Sequence, residues 1–193
     1  MEKISVYIDN NIWDELYKYK IDLSEELPSS EFSLAITKEA NFEIDSIPHA
    51  HIKEYAKYQI TKCNIRTDAI FGFYDESLPR EMQRFAGFGS EDDPTSGGRL
   101  LSEDEAAVFI TENRQEGDKP RSIRPTGLYK HEADISLAAR ATHSIVLTAN
   151  IKGALKRAHA KEGSRVIDMK LYQPKTRLYD FIITEMKKFQ SPK

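Results

Sequence analysis

Ile4-Ser-Val-Tyr-Ile8 is a short apolar run that ends at Asp9, and Asn10-Asn11-Ile12-Trp13 follows it. An apolar run of this length that leads into turn-forming residues predicts a buried strand followed by a helix. In an open α/β sheet, ligands bind outside the carboxyl ends of the strands, where loops and helix N-termini converge. Asp9 is therefore either part of a binding site or the N-cap of the following helix.

The composition is that of a globular protein, with 39% hydrophobic and 31% charged residues in a chain of 193. This length predicts a single domain over residues 1–193. No apolar stretch approaches the length of a membrane span, and the first residues lead directly into a strand pattern, so we expect a cytoplasmic protein without membrane contact. The single cysteine, Cys63, cannot form an intrachain disulfide and lacks the Cys/His spacing of a zinc site.

Charge is distributed unevenly along the chain, although the formal net charge is only −3. Residues 1–50 carry 11 acidic and 4 basic side chains, whereas residues 151–193 carry 4 acidic and 11 basic ones. Such asymmetry is a sign of polyanion binding, because a basic end can hold phosphates while an acidic part holds cations. A solvated basic helix face explains the same pattern.

Short apolar runs alternate with helical periodicity along most of the chain. Strands are predicted at 4–8, 33–37, 144–148 and 165–169, and helices at 11–20, 38–44, 49–61, 106–110, 132–141 and 176–189. This alternation predicts an α/β fold, a three-layer sandwich with a central, mostly parallel sheet and helices on both faces. Residues 24–30 are predicted to be a connection, and residues 69–74 either a strand or a packed loop.

An irregular insertion is predicted at about residues 75–130. It contains a glycine-rich and acidic loop at 87–98 and a basic segment at 117–130, which is either a phosphate-contacting arm or a solvated loop. Between them, Ser102 and Glu105 have the spacing of a capping box at the start of a helix.

Acidic side chains also follow the second predicted strand. If Thr37 caps the next helix, Glu39 lies in the first turn and Glu43 lies four residues further on the same face. One of the two glutamates can point back toward the end of the strand. Glu39 also suits the positive end of the helix dipole, and Glu43 can equally be an exposed helix acid.

Two later stretches complete the set of candidate residues. Glu132-Ala-Asp134-Ile-Ser-Leu-Ala-Ala places Asp134 in the first turn of a helix, and the strand at 144–148 ends in Leu147-Thr-Ala-Asn150. In this order after Asp9-x-Asn11 and Glu43, these features resemble the PIN domain family of metal-dependent nucleases, many of which are ribonuclease toxins of toxin–antitoxin pairs. The resemblance covers roughly residues 1–60 and 125–170.

The resemblance implies the roles of individual residues. Asp9, Glu43 and Asp134 would be the acidic ligands of Mg²⁺ or Mn²⁺, with Asn11 and Thr148 as supporting polar residues near the metal or the scissile phosphate. Carboxylates held close together repel one another, and a hard divalent cation relieves that repulsion. The implied activity is an endoribonuclease that hydrolyses RNA phosphodiester bonds with a metal-activated water. The implied partners are an RNA substrate, an antitoxin protein and a second copy of the chain in a homodimer.

Asn150 departs from the family pattern, because most members have a fourth acid there. Its carbonyl oxygen can still coordinate a cation, but one negative charge is missing, which weakens the binding of a second metal. The alternative function is therefore a catalytically weak or inactive module that binds RNA or a protein.

A second alternative is a phosphotransferase of the haloacid dehalogenase type. Asp9 would then be a covalent nucleophile, Thr148 a phosphate contact and Lys152 a counter-charge. That family requires a second aspartate two residues after the nucleophile, and Asn11 stands there instead.

Overall fold

The computed structural model describes residues 3–73, 75–76, 83–88, 97–117 and 128–190. The strands in these ranges are β1 (Ile4–Ile8), β2 (Phe32–Thr37), β3 (Arg66–Asp68), β4 (Ile70–Phe71), β5 (Phe85–Ala86), β6 (Ile145–Thr148) and β7 (Val166–Asp168). The α-helices are α1 (Trp13–Lys18), α2 (Leu23–Glu26), α3 (Lys38–Ile44), α4 (Ala50–Lys62), α5 (Glu103–Gly117), α6 (Glu132–Arg140), α7 (Gly153–His159) and α8 (Leu178–Gln190). Short 3-10 turns cover Asn10–Ile12 and Met169–Leu171. No helix within these ranges is long and apolar enough to cross a membrane.

Five strands form a central sheet in the order β3-β2-β1-β6-β7, and every neighbouring pair is parallel. The chain moves from β1 outward through β2 to β3, and later returns to place β6 and β7 on the other side of β1. The strand order therefore reverses between β1 and β6, which is the topological switch point where open α/β sheets bind ligands. The predicted α/β fold class is confirmed, and the sheet is parallel throughout.

Each face of the sheet is covered by helices. Because side chains alternate along a strand, Val6 and Ile8 point to one face and Tyr7 to the other. The first face packs against apolar side chains of α1, α4 and α8, and the second against those of α6 and α7. Burial on both faces explains why β1 reads as a continuous apolar run.

Several elements differ from the sequence prediction. The strand β3 was not predicted, because three residues are too short to reveal an alternating pattern. Residues 24–30 were predicted to be only a connection, which is wrong at their start: Asp22 accepts a hydrogen bond from the Ser24 backbone N–H at 3.0 Å and caps α2. The stretch at 69–74 contributes the two-residue strand β4, which pairs with β5.

The predicted insertion contains regular structure where it is described. The capping box is confirmed, since the Ser102 hydroxyl accepts from the Glu105 N–H at 3.3 Å and the Glu105 carboxylate accepts from the Ser102 N–H at 3.0 Å. The helix that follows, α5, extends well beyond the predicted residues. Most of the acidic loop at 87–98 and of the basic segment at 117–130 lies outside the described residues.

A buried ionic cluster ties β3 to α6. Asp68, at the end of β3, accepts hydrogen bonds from Arg140 at 2.8 and 3.1 Å, from Arg99 at 3.1 Å and from the Tyr7 hydroxyl at 2.9 Å. Arg99 continues to the Glu105 carboxylate at 2.5 and 2.8 Å. Arg140 is 0% exposed and Asp68 5% exposed, so each needs the other as a partner.

Arg140→Met is expected to lower the free energy of unfolding by about 3 kcal/mol, because it leaves buried carboxyl groups without their guanidinium. Urea unfolding at neutral pH measures the loss. Lys57→Met, which breaks the exposed pair with Asp45, is the control and should change stability by less than about 1 kcal/mol. Equal effects of the two substitutions would contradict a stabilising role for the cluster.

Candidate functional site

Asp9 lies at the switch point of the sheet. It follows the last residue of β1, and its backbone N–H donates to the Leu147 carbonyl of β6 at 3.0 Å. The ladder between β1 and β6 therefore continues to Asp9, and it brings Asp9 beside Thr148, the last residue of β6.

The Asp9 carboxylate is bound by side chains of the site. The Thr148 hydroxyl donates to Oδ2 at 2.7 Å, and Asn11 Nδ2 donates to the same oxygen at 2.5 Å. Asp9 occupies the N-cap position of the 3-10 turn, as the capping interpretation predicts, but its side chain makes no capping hydrogen bond there. Both of the side-chain hydrogen bonds, from Thr148 and Asn11, are made to Oδ2.

Asn11 links the two strand ends. Its Oδ1 accepts the backbone N–H of Ala149 at 2.7 Å, which fixes the amide so that Nδ2 faces Asp9 and the Thr148 hydroxyl, the latter at 3.2 Å. The Thr148 hydroxyl also accepts the backbone N–H of Asn150 at 3.0 Å. The predicted supporting residues Asn11 and Thr148 are thus both in contact with Asp9, and the chain at Asn150 is held beside them.

Asp9 is only 7% exposed, and burial raises its pKa to about 6. The hydrogen bonds from Thr148 and Asn11 lower this pKa, whereas the negative charge of Asp134 raises it. Asp134 lies in the first turn of α6, as predicted, and is close enough for its charge to act on Asp9. Asp134 is therefore the predicted acid whose charge acts on Asp9.

His131 is next to Asp134 and was not among the predicted site residues. Its backbone adopts the left-handed conformation, with φ of 71°, at the N-cap of α6, and its Nδ1 lies 3.5 Å from Asp134 Oδ2. Left-handed backbone is uncommon for residues other than glycine, and histidine is among the few side chains enriched there. The sequence around His131 contains no pattern that predicts this backbone conformation.

The two glutamates of α3 have different surroundings. Thr37 caps the helix as predicted, accepting from the Ala40 N–H at 3.2 Å. Glu39 is 5% exposed, and its Oε2 has no hydrogen-bond partner among the described residues; burial raises its pKa, and the Arg140 charge opposes that rise. Glu43 is half-buried in the last turn of the helix.

No group of three or more Asp, Glu, His or Cys side chains within the described ranges is placed to hold a metal ion. Glu43 therefore does not complete a three-carboxylate set with Asp9 and Asp134 in this structure. Its role as a ligand stays a prediction, as does that of the half-buried Asn150.

Comparison with known proteins identifies no relative. A scan against protein-family models finds no family that matches this chain, and a search of curated proteins finds no match either.

The raised pKa of Asp9 predicts a pH-dependent stability. Because the folded state holds the proton more tightly than the unfolded chain, whose aspartate pKa is about 4, stability is lost as pH rises from about 4 through about 6. Asp9→Asn removes this loss. Relative to wild type, we expect the variant to gain about 2–3 kcal/mol between pH 4 and pH 7 in urea unfolding. A constant difference across that range would contradict the assigned pKa.

Proposed function

We propose that this protein is a divalent-metal-dependent endoribonuclease of the PIN type, which hydrolyses RNA phosphodiester bonds. The observation that carries the proposal is the pair of acids, Asp9 and Asp134, at the switch point of a parallel sheet. An assignment as the toxin of a toxin–antitoxin pair, or as a homodimer, rests on the family resemblance alone.

The surroundings of Asp9 differ from those of the other buried aspartate, Asp68. Two guanidinium groups compensate Asp68, whereas Asp9 is bound by a neutral hydroxyl and a neutral amide and lies near a second acid. Burying a carboxylate without a cation is costly, so a bound cation would stabilise the ionised form of Asp9. Two carboxylates with neighbouring amide oxygens are the hard ligands that Mg²⁺ and Mn²⁺ prefer.

Asp9 and Asp134 would hold the cation, and Glu43 and Asn150 are the predicted additional oxygen donors. When bound, such a cation activates water and neutralises charge that develops on the phosphate. Thr148 and Asn11 orient Asp9 through their hydrogen bonds to Oδ2. Their hydrogen bonds also lower the pKa of Asp9, and so favour the ionised form near neutral pH.

A binding module without catalysis is the second candidate. It is favoured by Asn150 in place of a fourth acid and by the absence of a three-carboxylate group among the described residues. Such a module would bind RNA without metal-dependent cleavage, so an assay of RNA cleavage with metal distinguishes the two candidate functions.

Folded wild-type protein is expected to cleave single-stranded RNA with Mn²⁺ or Mg²⁺ and to lose cleavage in EDTA. Asp9→Asn should reduce cleavage to background, because it removes a ligand charge at nearly constant volume. Asp14→Asn, an exposed acid in the first turn of α1, is the matched control and should retain activity. Electrophoresis of a labelled RNA panel measures cleavage, and circular dichroism confirms the fold.

Failure of folded wild type to cleave with either metal would favour the binding module. Cleavage by Asp9→Asn at the wild-type rate would show that the site as described is wrong. Asn150→Asp, which supplies the charge that the family pattern has, is expected to raise the affinity for Mn²⁺. Trapping of an aspartyl-phosphate at Asp9 would favour the phosphotransferase alternative instead.

A further inference from the structure

A groove of about 1230 Å³ lies along the open edge of the sheet at β3. Its shape follows from the shortness of β3, which pairs only with Ala35–Thr37 of β2. The first half of β2, Phe32 to Leu34, is not covered by β3 and lines the groove instead. The other wall comes from residues near β5 and from Gly97 to Arg99.

The groove is basic, although the chain as a whole is acidic. The basic residues in its walls are Lys3, Lys38, Lys62, Arg66 and Arg99. Among the described wall residues one is acidic, Asp68, and it is already compensated by Arg99 and Arg140. This excess of positive charge fits a polyanion.

The basic side chains differ in how far they are available to a ligand. Lys62 is paired with Asp22, and Arg99 with Asp68 and Glu105. In the described parts of the chain, no ion pair engages Lys3, Lys38 or Arg66. These three are the side chains best placed to contact phosphates.

An aromatic ring stands in the wall of the same groove. Phe88 is 91% exposed and makes an edge-to-face contact with Phe71, at 4.9 Å between ring centroids. An exposed ring beside a basic groove is a surface on which unpaired bases stack, and this combination is typical of sites for single-stranded nucleic acid. Bases in a duplex are stacked on one another and do not offer a free face.

The groove reaches the carboxyl ends of β2 and β3, where Lys38 and Asp68 line it. In the register between β2 and β3, Thr37 pairs with Asp68. In the register between β1 and β2, Tyr7 pairs with Ala35, so two residues further along the strands Asp9 lies opposite Thr37. Asp9 and the end of β3 are therefore two strand spacings apart, or about 10 Å. Lys38 follows Thr37 directly, between the groove and Asp9.

We infer that this groove binds single-stranded RNA, with Lys3, Lys38 and Arg66 on phosphates and a base stacked on Phe88. The inference rests on the proposed function, to which it adds the surface that holds the single strand. It is independent of the metal, because none of these contacts involves a carboxylate.

Fluorescence anisotropy in EDTA tests the inference without cleavage, using labelled oligouridylate and its duplex with oligoadenylate. We expect wild type to prefer the single strand. The triple substitution Lys3→Ala, Lys38→Ala, Arg66→Ala should weaken binding and reduce the slope of log affinity against log salt by about 2. Phe88→Ala should weaken binding about tenfold, and Phe88→Tyr, which keeps the ring, should restore it. Lys175→Ala, an exposed residue outside the groove, is the control for loss of charge.

Unchanged affinity and salt slope in the triple variant would overturn the inference, as would equal or tighter binding of the duplex. If the proposed function is wrong, the folded protein will not cleave RNA in the presence of metal, and this result does not depend on the affinities measured in EDTA. If cleavage occurs, the groove variants should raise KM and leave kcat at saturating RNA unchanged. Thermal melting confirms that each variant is folded.

Discussion

The buried carboxylate of Asp9 is held between the ends of two adjacent parallel strands, β1 and β6. Its backbone extends the ladder between β1 and β6, and its Oδ2 is fixed by Thr148 and Asn11. The sheet order reverses at these two strands, which is the position where open α/β sheets bind ligands. Neutral donors orient the carboxylate without cancelling its charge, and Asp134 adds a second negative charge nearby. This combination predisposes the site to a cation.

Two strands away, the buried carboxylate of Asp68 is instead paired with the cationic side chains of Arg140 and Arg99. That cluster has its own counter-charges and joins β3, α5 and α6, so its role is structural. The contrast distinguishes a carboxylate that stabilises the fold from one that is available for binding. The same edge strand shapes the basic groove, because β3 is too short to cover β2. The carboxyl ends of the neighbouring strands β1, β2 and β3 therefore connect the candidate site at Asp9 with the proposed RNA-binding groove.

The sequence predicted what depends on local periodicity and on position at strand ends. The apolar run at Ile4–Ile8 and the capping residues Thr37 and Ser102 determine local structure through contacts within a few residues, and all are confirmed. Interactions between distant segments escaped prediction: Asp68 meets Arg140 across 72 residues, and a three-residue strand gives no periodic signal. The left-handed backbone conformation of His131 was likewise not predicted, because it depends on tertiary packing and not on local sequence. The charge of Asp134 acts on Asp9, whereas the roles of Asp134 and Glu43 as ligands stay predictions, because they depend on contacts that the sequence pattern does not determine.

Calorimetric titration of Mn²⁺ at pH 7 tests whether Asp9 and Asp134 form a cation site. Wild type is expected to bind Mn²⁺, and Asp9→Asn and Asp134→Asn should each weaken binding strongly, while Asp14→Asn binds as wild type does. At pH 6, binding should release protons, because Asp9 with a pKa of about 6 is then partly protonated. Binding of Mn²⁺ that neither Asp9→Asn nor Asp134→Asn weakens, or no binding by folded wild type, would contradict the account.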